Sequence, residues 1–387
     1  MRSWVIGAVL LALGFVAILT GVMPVADAVA LWNRVWPILL FVAAITVVTE
    51  LAAVAGVFTV LAQATARWGR GRAWLLWLLV AVVAAASTVF LSLDTTAVLL
   101  TPIAIVLARH VGLSPLPFAL TTVWMANTGS MLLPVSNLTN LLAQHAMGDI
   151  SPLAFAGLTW AAALVAAVLP MVVVFVLSRR SLTGRYEIGV ARRPGDPVLF
   201  RAAAVVLVVL VPLLVSGIPV WMPATGAAAV LGVVFAVRQR SALRFALVPW
   251  RLLVFAGGLF LFIGALHSAG LGALLHRVAG EGDSPIALLR LSFVGMLSAN
   301  AINNLPAYLA LEPVTGSAVR VVALLIGVNV GPLITPWASL ATLLWHQRLT
   351  SLDVEIRWRR YVLLGAIVAP LTVAAATWAL AASAGML

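Results

Sequence analysis

The chain has 387 residues, of which 64% are hydrophobic and only 9% are charged, and its mean hydropathy is +1.16. This composition excludes a soluble globular domain and indicates a polytopic membrane protein with room for about ten crossings of roughly 20 residues each. The absence of Cys excludes disulfides and thiolate metal sites. The net charge is +12, and all of the basic residues are Arg; in a membrane protein such charge indicates loops that face the lipid bilayer rather than a nucleic-acid partner.

Apolar stretches separated by short polar connections follow one another along the whole chain. They lie at 3–23, 36–62, 73–91, 95–108, 117–147, 152–178, 198–216, 221–237, 252–270, 285–300, 302–311, 318–347 and 361–383. The first stretch follows Arg2 and has features of a cleavable secretory signal, but it is long enough to span a bilayer. We therefore interpret it as the first membrane helix.

Two pairs of stretches are too short, or too sharply broken, to be independent crossings. They are 73–108, broken from Ser92 to Thr95, and 285–311, broken from Asn300 to Pro306. We interpret each pair as a re-entrant helical hairpin, which leaves nine membrane crossings. Aligning the two hairpins places Asp94 opposite Asn304.

Two further stretches, 117–147 and 318–347, carry the same interrupted pattern in their middle. The first copy has Asn127, Gly129, Pro134, Asn137 and Asn140, and the second, 202 positions later, has Asn329, Gly331, Pro336, Ser339 and Thr342. Such a pattern predicts a discontinuous helix, because Gly, Pro and small polar residues interrupt an otherwise apolar segment. Paired interruptions in corresponding halves of a membrane protein point to a transporter's binding site.

The arginines predict the orientation of the chain. With the N-terminus in the cytoplasm and both hairpins re-entrant, 19 of the 23 basic residues lie inside, as the positive-inside rule requires. The two halves then have opposite orientations. The predicted fold is an all-α polytopic membrane protein built as an inverted-repeat transporter with two re-entrant hairpins and two discontinuous helices. Its parts are a first repeat at 1–178, a cytoplasmic basic loop with a linking helix at 179–216, and a second repeat at 217–387.

Neutral polar side chains cluster at the four predicted breaks and are our candidates for binding a solute. They are Ser92, Thr95, Asn127, Ser136, Asn137, Asn140, Asn303, Asn304, Asn329, Thr335, Ser339 and Thr342. Backbone groups freed at a helix break must be satisfied by protein, water or ligand, so these side chains could instead serve only to cap the broken helices.

Two acidic residues at membrane depth are candidates for ion or proton coupling. A carboxylate there costs about 2.5–3.5 kcal/mol, so Asp94 is predicted to be functional, although it could also cap the next half-helix through the amides of Thr96 and Ala97. Glu50 could carry protons or simply hydrogen-bond to a neighbouring Thr. The sequence has no metal-ligand cluster and no phosphate-binding loop, so we expect no cofactor, no metal and no enzymatic activity such as ATP hydrolysis.

The motifs resemble the ion-transporter superfamily of arsenite permeases, sodium/proton antiporters and dicarboxylate/sodium symporters. Closest to the arsenite permease branch are SNLTN at 136–140, SANAINNLPA at 298–307, GVNVGP at 327–332 and SLATLLW at 339–345, while SLDTTA at 92–97 is similar to the superfamily's first hairpin tip. Trp337 and Ala338 depart from the small pair that is usual in the family.

The resemblance implies a prokaryotic plasma-membrane exporter of arsenite or antimonite as the neutral trihydroxide, driven by proton influx. It also implies a homodimer or a separate ATPase subunit as further partners. Two alternatives remain open, a sodium/proton antiporter that uses Asp94 and a symporter for carboxylates or inorganic anions. A channel or an assembly scaffold would not require inverted, broken repeats.

Overall fold

The computed structural model of the protein describes residues 3–187 and 195–386, and the regular elements in these ranges are helices. The first half contains α1 (Ser3–Leu19), α2 (Val25–Val54), α3 (Val57–Trp68), α4 (Ala73–Leu91), α5 (Leu93–Thr95), α6 (Thr101–His110), α7 (Pro115–Thr128), α8 (Leu138–Ala146) and α9 (Pro152–Leu182). The second half contains α10 (Pro197–Val215), α11 (Trp221–Arg238), α12 (Trp250–Ser268), α13 (Leu271–Ala279), α14 (Pro285–Ile302), α15 (Asn304–Leu311), α16 (Ala318–Leu325), α17 (Leu340–Thr350) and α18 (Trp358–Ser383). Arg2, Arg192 and Arg193, which enter the orientation argument, lie outside the described residues.

Nine helices within the described ranges are long and apolar enough to cross a membrane. They are not the nine crossings that the sequence predicts. Both arms of the first hairpin and the first arm of the second have span length, whereas α1 is shorter and the two discontinuous helices are divided into pieces. The polytopic all-α class is confirmed, and the equal number of helices is a coincidence.

The two helical hairpins are present, and each turns at a single residue. Ser92 separates α4 from α5 with φ 118°, and Asn303 separates α14 from α15 with φ 105°. Both residues adopt a backbone conformation that side chains other than glycine rarely take. These two tips are 211 positions apart, so Asp94 lies opposite Leu305. The alignment that paired Asp94 with Asn304 was wrong by one residue.

Both discontinuous helices are confirmed. In the first, α7 is joined to α8 by 3-10 turns around Pro134, and in the second, α16 continues through a π-helical turn (Ile326–Val330) before a non-helical segment that ends at α17. Pro and Gly remove hydrogen bonds or favour non-helical backbone, which explains why the helices break at these places.

The predicted span 36–62 is wrong at both ends. α2 starts at Val25 and stops at Val54, and Gly56 (φ 85°) turns the chain into the separate amphipathic helix α3. The same arrangement recurs where Gly270 (φ 97°) follows α12 and leads into amphipathic α13. A positive φ suits glycine because it has no Cβ, which is why both turns occur at this residue.

Contacts between helices repeat in a symmetric way across the two halves. α1 packs on α12 while α11 packs on α2, and α7 contacts α17 while α8 contacts α16. The last helices of the two halves, α9 and α18, pack on each other. Helix α10, the first helix after α9, matches none of the other described helices. An inverted-repeat architecture accounts for this exchange of partners.

Candidate functional site

The hairpin tips and the helix breaks meet around one small cavity. It offers about 70 Å³ to the centres of water-sized molecules, enough for a few waters or one small solute. Its polar lining consists of Thr46, Ser92, Asp94, Asn137, Asn303, Asn304 and Ser339. Phe41 of α2 and Phe255 of α12 contribute apolar walls, so the cavity lies between these two long helices and the broken elements.

Four helices begin at this cavity. Ser92, Asn137, Asn303 and Ser339 are the N-cap residues of α5, α8, α15 and α17, and each of them lines the cavity. Helix N-termini carry unpaired N–H groups and a partial positive charge, so they favour polar or negatively charged groups. The cavity is therefore suited to a polar solute and to a carboxylate.

Asp94 is the only ionisable residue among those that line the cavity. It is half-buried, and within the described residues no hydrogen bond or neighbouring charge engages its carboxylate. The expected alternative role, capping the next half-helix, belongs to Ser92, whose hydroxyl accepts a hydrogen bond from the Thr95 amide at 3.4 Å. The carboxylate is thus free to interact with whatever occupies the cavity.

Asn329 joins the two discontinuous helices at their breaks. Its Oδ1 accepts hydrogen bonds from Asn137 Nδ2 (3.1 Å) and Thr139 Oγ1 (2.8 Å). Its Nδ2 donates to Asn140 Oδ1 at 2.8 Å. The amide is 1% exposed and does not line the cavity. Because its hydrogen-bonding capacity is used within the protein, it acts as a structural connection in this state.

Six of the predicted site residues line the cavity and eight do not. Those at the cavity are Ser92, Asp94, Asn137, Asn303, Asn304 and Ser339. Those away from it are Glu50, Thr95, Asn127, Ser136, Asn140, Asn329, Thr335 and Thr342.

The polar side chains away from the cavity are largely engaged with the protein itself. Ser136 Oγ donates to the Val89 carbonyl of the first hairpin at 2.8 Å, and Thr335 Oγ1 donates to the Asn300 carbonyl at 2.8 Å. Thr95 Oγ1 donates to the Leu91 carbonyl at 3.2 Å. These bonds hold the breaks and tips together, which is the role that polar residues often have between membrane helices.

Glu50 is half-buried in α2 and does not line the cavity. The neighbouring Thr46 and Thr49 hydroxyls donate to backbone carbonyls of their own helix, so they are not committed to the Glu50 carboxylate. The charge that acts on Glu50 is that of Arg348, at the end of α17.

Sequence reasoning missed the wall of the cavity formed by α2 and α12. Thr46 contributes a hydroxyl there, and Phe41 and Phe255 contribute rings. The available signal was the repeat itself, since these two Phe residues occur 214 positions apart at matching places in the two halves. Position in the repeat, rather than polarity, identifies them.

Comparison with known proteins agrees with this architecture. A family model described as a citrate transporter (CitMHS) matches residues 2–345. An arsenical pump membrane protein of Yersinia enterocolitica is 33% identical over 383 residues, covering 91% of this chain and 87% of that protein. One from Escherichia coli is 31% identical over 380 residues with the same coverage. The crystal structure of the Alcanivorax borkumensis YdaH transporter has a TM-score of 0.62 at 16% identity, covering 93% of this chain and 87% of that one, which is a likeness of fold.

The apolar helices of membrane-spanning length, the exchange of helix partners between the halves and the family match define an integral membrane secondary transporter with inverted repeats. The chain belongs to the citrate transporter family CitMHS, and it is homologous over most of its length to arsenical pump membrane proteins. The resemblance to the ion-transporter superfamily and its arsenite permease branch is thereby confirmed.

Proposed function

We propose that this protein exports arsenite and antimonite as neutral trihydroxides in exchange for protons, by alternating access. The observation that carries the proposal is the lining of the central cavity, in which one free carboxylate, Asp94, faces neutral amides and hydroxyls. A neutral trihydroxide needs hydrogen-bond donors and acceptors but no charged partner, and an exchanged proton needs one titratable group. The relatives named as arsenical pump membrane proteins support this choice of solute.

The proposed cycle uses Asp94 in two protonation states. On the cytoplasmic side the carboxyl loses its proton, and the solute then binds the ionised carboxylate and the cavity amides of Asn137 and Asn304. The helix N-termini around the cavity stabilise the charge during this step. On the outer side the solute leaves, the vacated carboxylate takes up a proton, and only the neutral carboxyl allows the empty cavity to return.

A second candidate function is transport of an inorganic anion or carboxylate. Four helix N-termini around one cavity favour a negative solute, and the family model is described as a citrate transporter. Against it, Asp94 would repel such a solute, and the cavity lining contains no Arg. A sodium/proton antiporter is the third reading, in which Asp94 binds the cation.

We propose further that the N-terminus is cytoplasmic and that the chain divides into repeats at 1–178 and 217–387, linked by 179–216. The exchange of helix partners between the halves supports the division. The polar contacts between distant loops support the grouping of the loops into two sides on which the orientation rests, because each joins segments that the arginine distribution puts on the same side. They are Tyr186 to Ala66, Arg109 to Asp353 and Asp196 to Arg238 inside, and Arg34 to Glu312 outside.

In the proposed cycle the proton gradient supplies the energy, and the chain itself carries no phosphate-binding loop. A homodimer and a separate ATPase subunit are partners that the proposal accommodates, and the prokaryotic plasma membrane is its location.

Arsenite uptake into energised everted vesicles, with and without a protonophore, tests the proposal. We expect accumulation that the protonophore abolishes. Accumulation that persists would contradict proton coupling. If arsenite is not taken up, parallel vesicles given sodium, lithium or citrate distinguish the two remaining readings, since only an anion transporter would move citrate.

A further inference from the structure

A second, larger cavity lies at the proposed outer face, and we call it the outer vestibule. It offers about 410 Å³ to the centres of water-sized molecules. Its ionisable lining residues are Asp27, Arg34, His145, His267 and Glu312. The space is wide enough to hold water, so protons from the outer medium can reach these groups.

Glu312 is the vestibule acid that lies deepest in the protein. It is 9% exposed and forms an ion pair with Arg34, whose Nη2 lies 2.5 Å from Glu312 Oε2. The same nitrogen donates to the Leu142 carbonyl at 3.3 Å. The carboxylate therefore lies where the vestibule meets the packed interior.

Tyr308 lies one helical turn before Glu312 and is fully buried, at 0% exposure. Its hydroxyl has no hydrogen-bond partner among the described residues, and the charges that act on it are those of Glu312 and Arg34. A buried hydroxyl without a partner costs free energy, so a Tyr rather than a Phe at this place requires an explanation.

Asn304 lies one turn earlier still and lines the central cavity with Asp94. A spacing of four residues places Asn304, Tyr308 and Glu312 along one face of the second hairpin arm, about 12 Å from first to last at 1.5 Å per residue. Helical side chains lean towards the N-terminus, so each of these residues leans towards the preceding one and towards the cavity.

We propose that Glu312 and Tyr308 pass protons from the outer vestibule to the central cavity. Glu312 accepts a proton from vestibule water and gives it to the Tyr308 oxygen, which releases its own hydroxyl proton towards cavity water and Asp94. The tyrosine begins and ends neutral, and one proton is gained by Asp94 for each proton taken up by Glu312. This route rests on the proposed function, because it supplies the outer proton of the exchange.

The test compares two activities of the same everted vesicles, in which the outer face is turned to the lumen. Proton-driven arsenite uptake requires passage of protons, whereas exchange of labelled for unlabelled arsenite without a gradient requires only movement of the loaded cavity. Tyr308→Phe removes an oxygen that makes no hydrogen bond with the described part of the protein, so the variant should fold. We expect uptake to fall about tenfold or more while exchange stays within about twofold.

Three further variants make the result specific. Tyr361→Phe removes another buried tyrosine hydroxyl, which lies beside Thr342 and Trp124 and lines neither cavity, and it should leave both activities unchanged. Glu312→Gln should behave like Tyr308→Phe, whereas Arg34→Gln breaks the same ion pair, keeps the carboxylate and should retain most uptake. The route would be overturned if Tyr308→Phe kept normal uptake or lost exchange as much as uptake. It would also be overturned if Arg34→Gln lost as much uptake as Tyr308→Phe. A wild type without arsenite exchange would overturn the proposed function and the route with it.

Discussion

Asn329 donates a hydrogen bond of 2.8 Å to Asn140, and this bond ties the second discontinuous helix to the first. The residues at the corresponding positions, Asn127 and Thr342, are joined in the reverse direction by a longer bond of 3.3 Å. The two bonds are therefore related by the repeat. Asn329 makes the stronger connection of the two, because its side chain also accepts hydrogen bonds from Asn137 and Thr139. The crossing of the broken helices rests mainly on one amide.

Replacement of this amide should destabilise the protein more than replacement of its repeat partner. Asn329→Ala removes the partner of Thr139 Oγ1 and of Asn140 Oδ1, at about 1–3 kcal/mol for each orphaned group, and it leaves Asn137 Nδ2 with only its longer bond to Ser130 Oγ. We expect the melting temperature of purified protein, followed by Trp fluorescence, to fall by at least about 5 °C. The melting temperature of Asn127→Ala, the matched control, should fall less. Equal losses would show that the asymmetry has no energetic consequence.

Ser339 and Asn137 cap corresponding half-helices but should respond differently to truncation. Asn137 Oδ1 accepts from the Thr139 amide at 3.3 Å, whereas Ser339 Oγ is buried without a hydrogen-bond partner in the part of the chain described. Ser339→Ala should therefore leave thermal stability unchanged and weaken arsenite binding. Asn137→Ala should lower both the thermal stability and the affinity for arsenite. Binding measured by competition with labelled solute, beside a melting curve, separates the two effects. Normal binding by Ser339→Ala would place the solute elsewhere.

Ser92 at the first hairpin tip carries backbone strain that a glycine would relieve. At φ 118° and ψ 159° the strain costs about 1–3 kcal/mol, whereas loss of an N-cap side chain to glycine costs only a few tenths. We expect Ser92→Gly to raise the melting temperature and Ser92→Val, with its branched Cβ, to lower it. A lower melting temperature for the glycine variant would mean that the Ser92 hydroxyl stabilises the protein by more than its N-cap hydrogen bond to the Thr95 amide.

Asp94→Asn keeps the size of the side chain and removes the only ionisable group of the cavity. Arsenite uptake by this variant in energised everted vesicles should fall to the level of wild type treated with protonophore, with normal yield and melting temperature. Asp353→Asn, on an exposed loop after α17, is the matched control and should transport normally. Gradient-driven uptake by Asp94→Asn would remove the proton-carrying role from this residue.

The ion pair at the N-terminal end of α10 should contribute nothing to the pH dependence of transport at working pH. Arg238 holds the pKa of Asp196 below its usual range, first through a hydrogen bond of 2.8 Å. A lowered pKa gives a stabilising contribution that is complete above the ordinary Asp pKa of about 3.9 and is lost as pH falls through the folded value. Wild type and Asp196→Asn should therefore share one transport profile above about pH 5. A shift of the pH profile of transport in Asp196→Asn would show that the ion pair does affect transport in this range.

The architecture was readable from the sequence because breaks in membrane helices leave a clear mark. Gly, Pro and amides inside apolar stretches have few explanations in a bilayer, so the tips at Ser92 and Asn303 and the breaks before Asn137 and Ser339 fell within the predicted segments. The start of α2 at Val25 was missed, since its first turns carry polar residues that a search for apolar runs excludes.

The direction of each side chain at a break could not be read in the same way. Asn137 lines the cavity and Asn329 points between helices, although both are amides at broken helices. A polar group in a membrane protein is satisfied equally well by a neighbouring helix or by a solute, and only the packing decides which. Phe41 and Phe255 were not identified as cavity walls because an apolar residue in an apolar helix carries no signal of its own.

The coupling role of Asp94 is tested most directly by measuring the protons released when arsenite binds. Purified protein in weakly buffered detergent solution, at a pH where Asp94 is largely protonated, is mixed with arsenite and followed with a pH indicator. Because the solute arrives neutral, a proton that wild type releases and Asp94→Asn does not release comes from the Asp94 carboxyl. Wild type should release protons on binding arsenite, and Asp94→Asn that still binds arsenite should release none. Equal release by both proteins would contradict it.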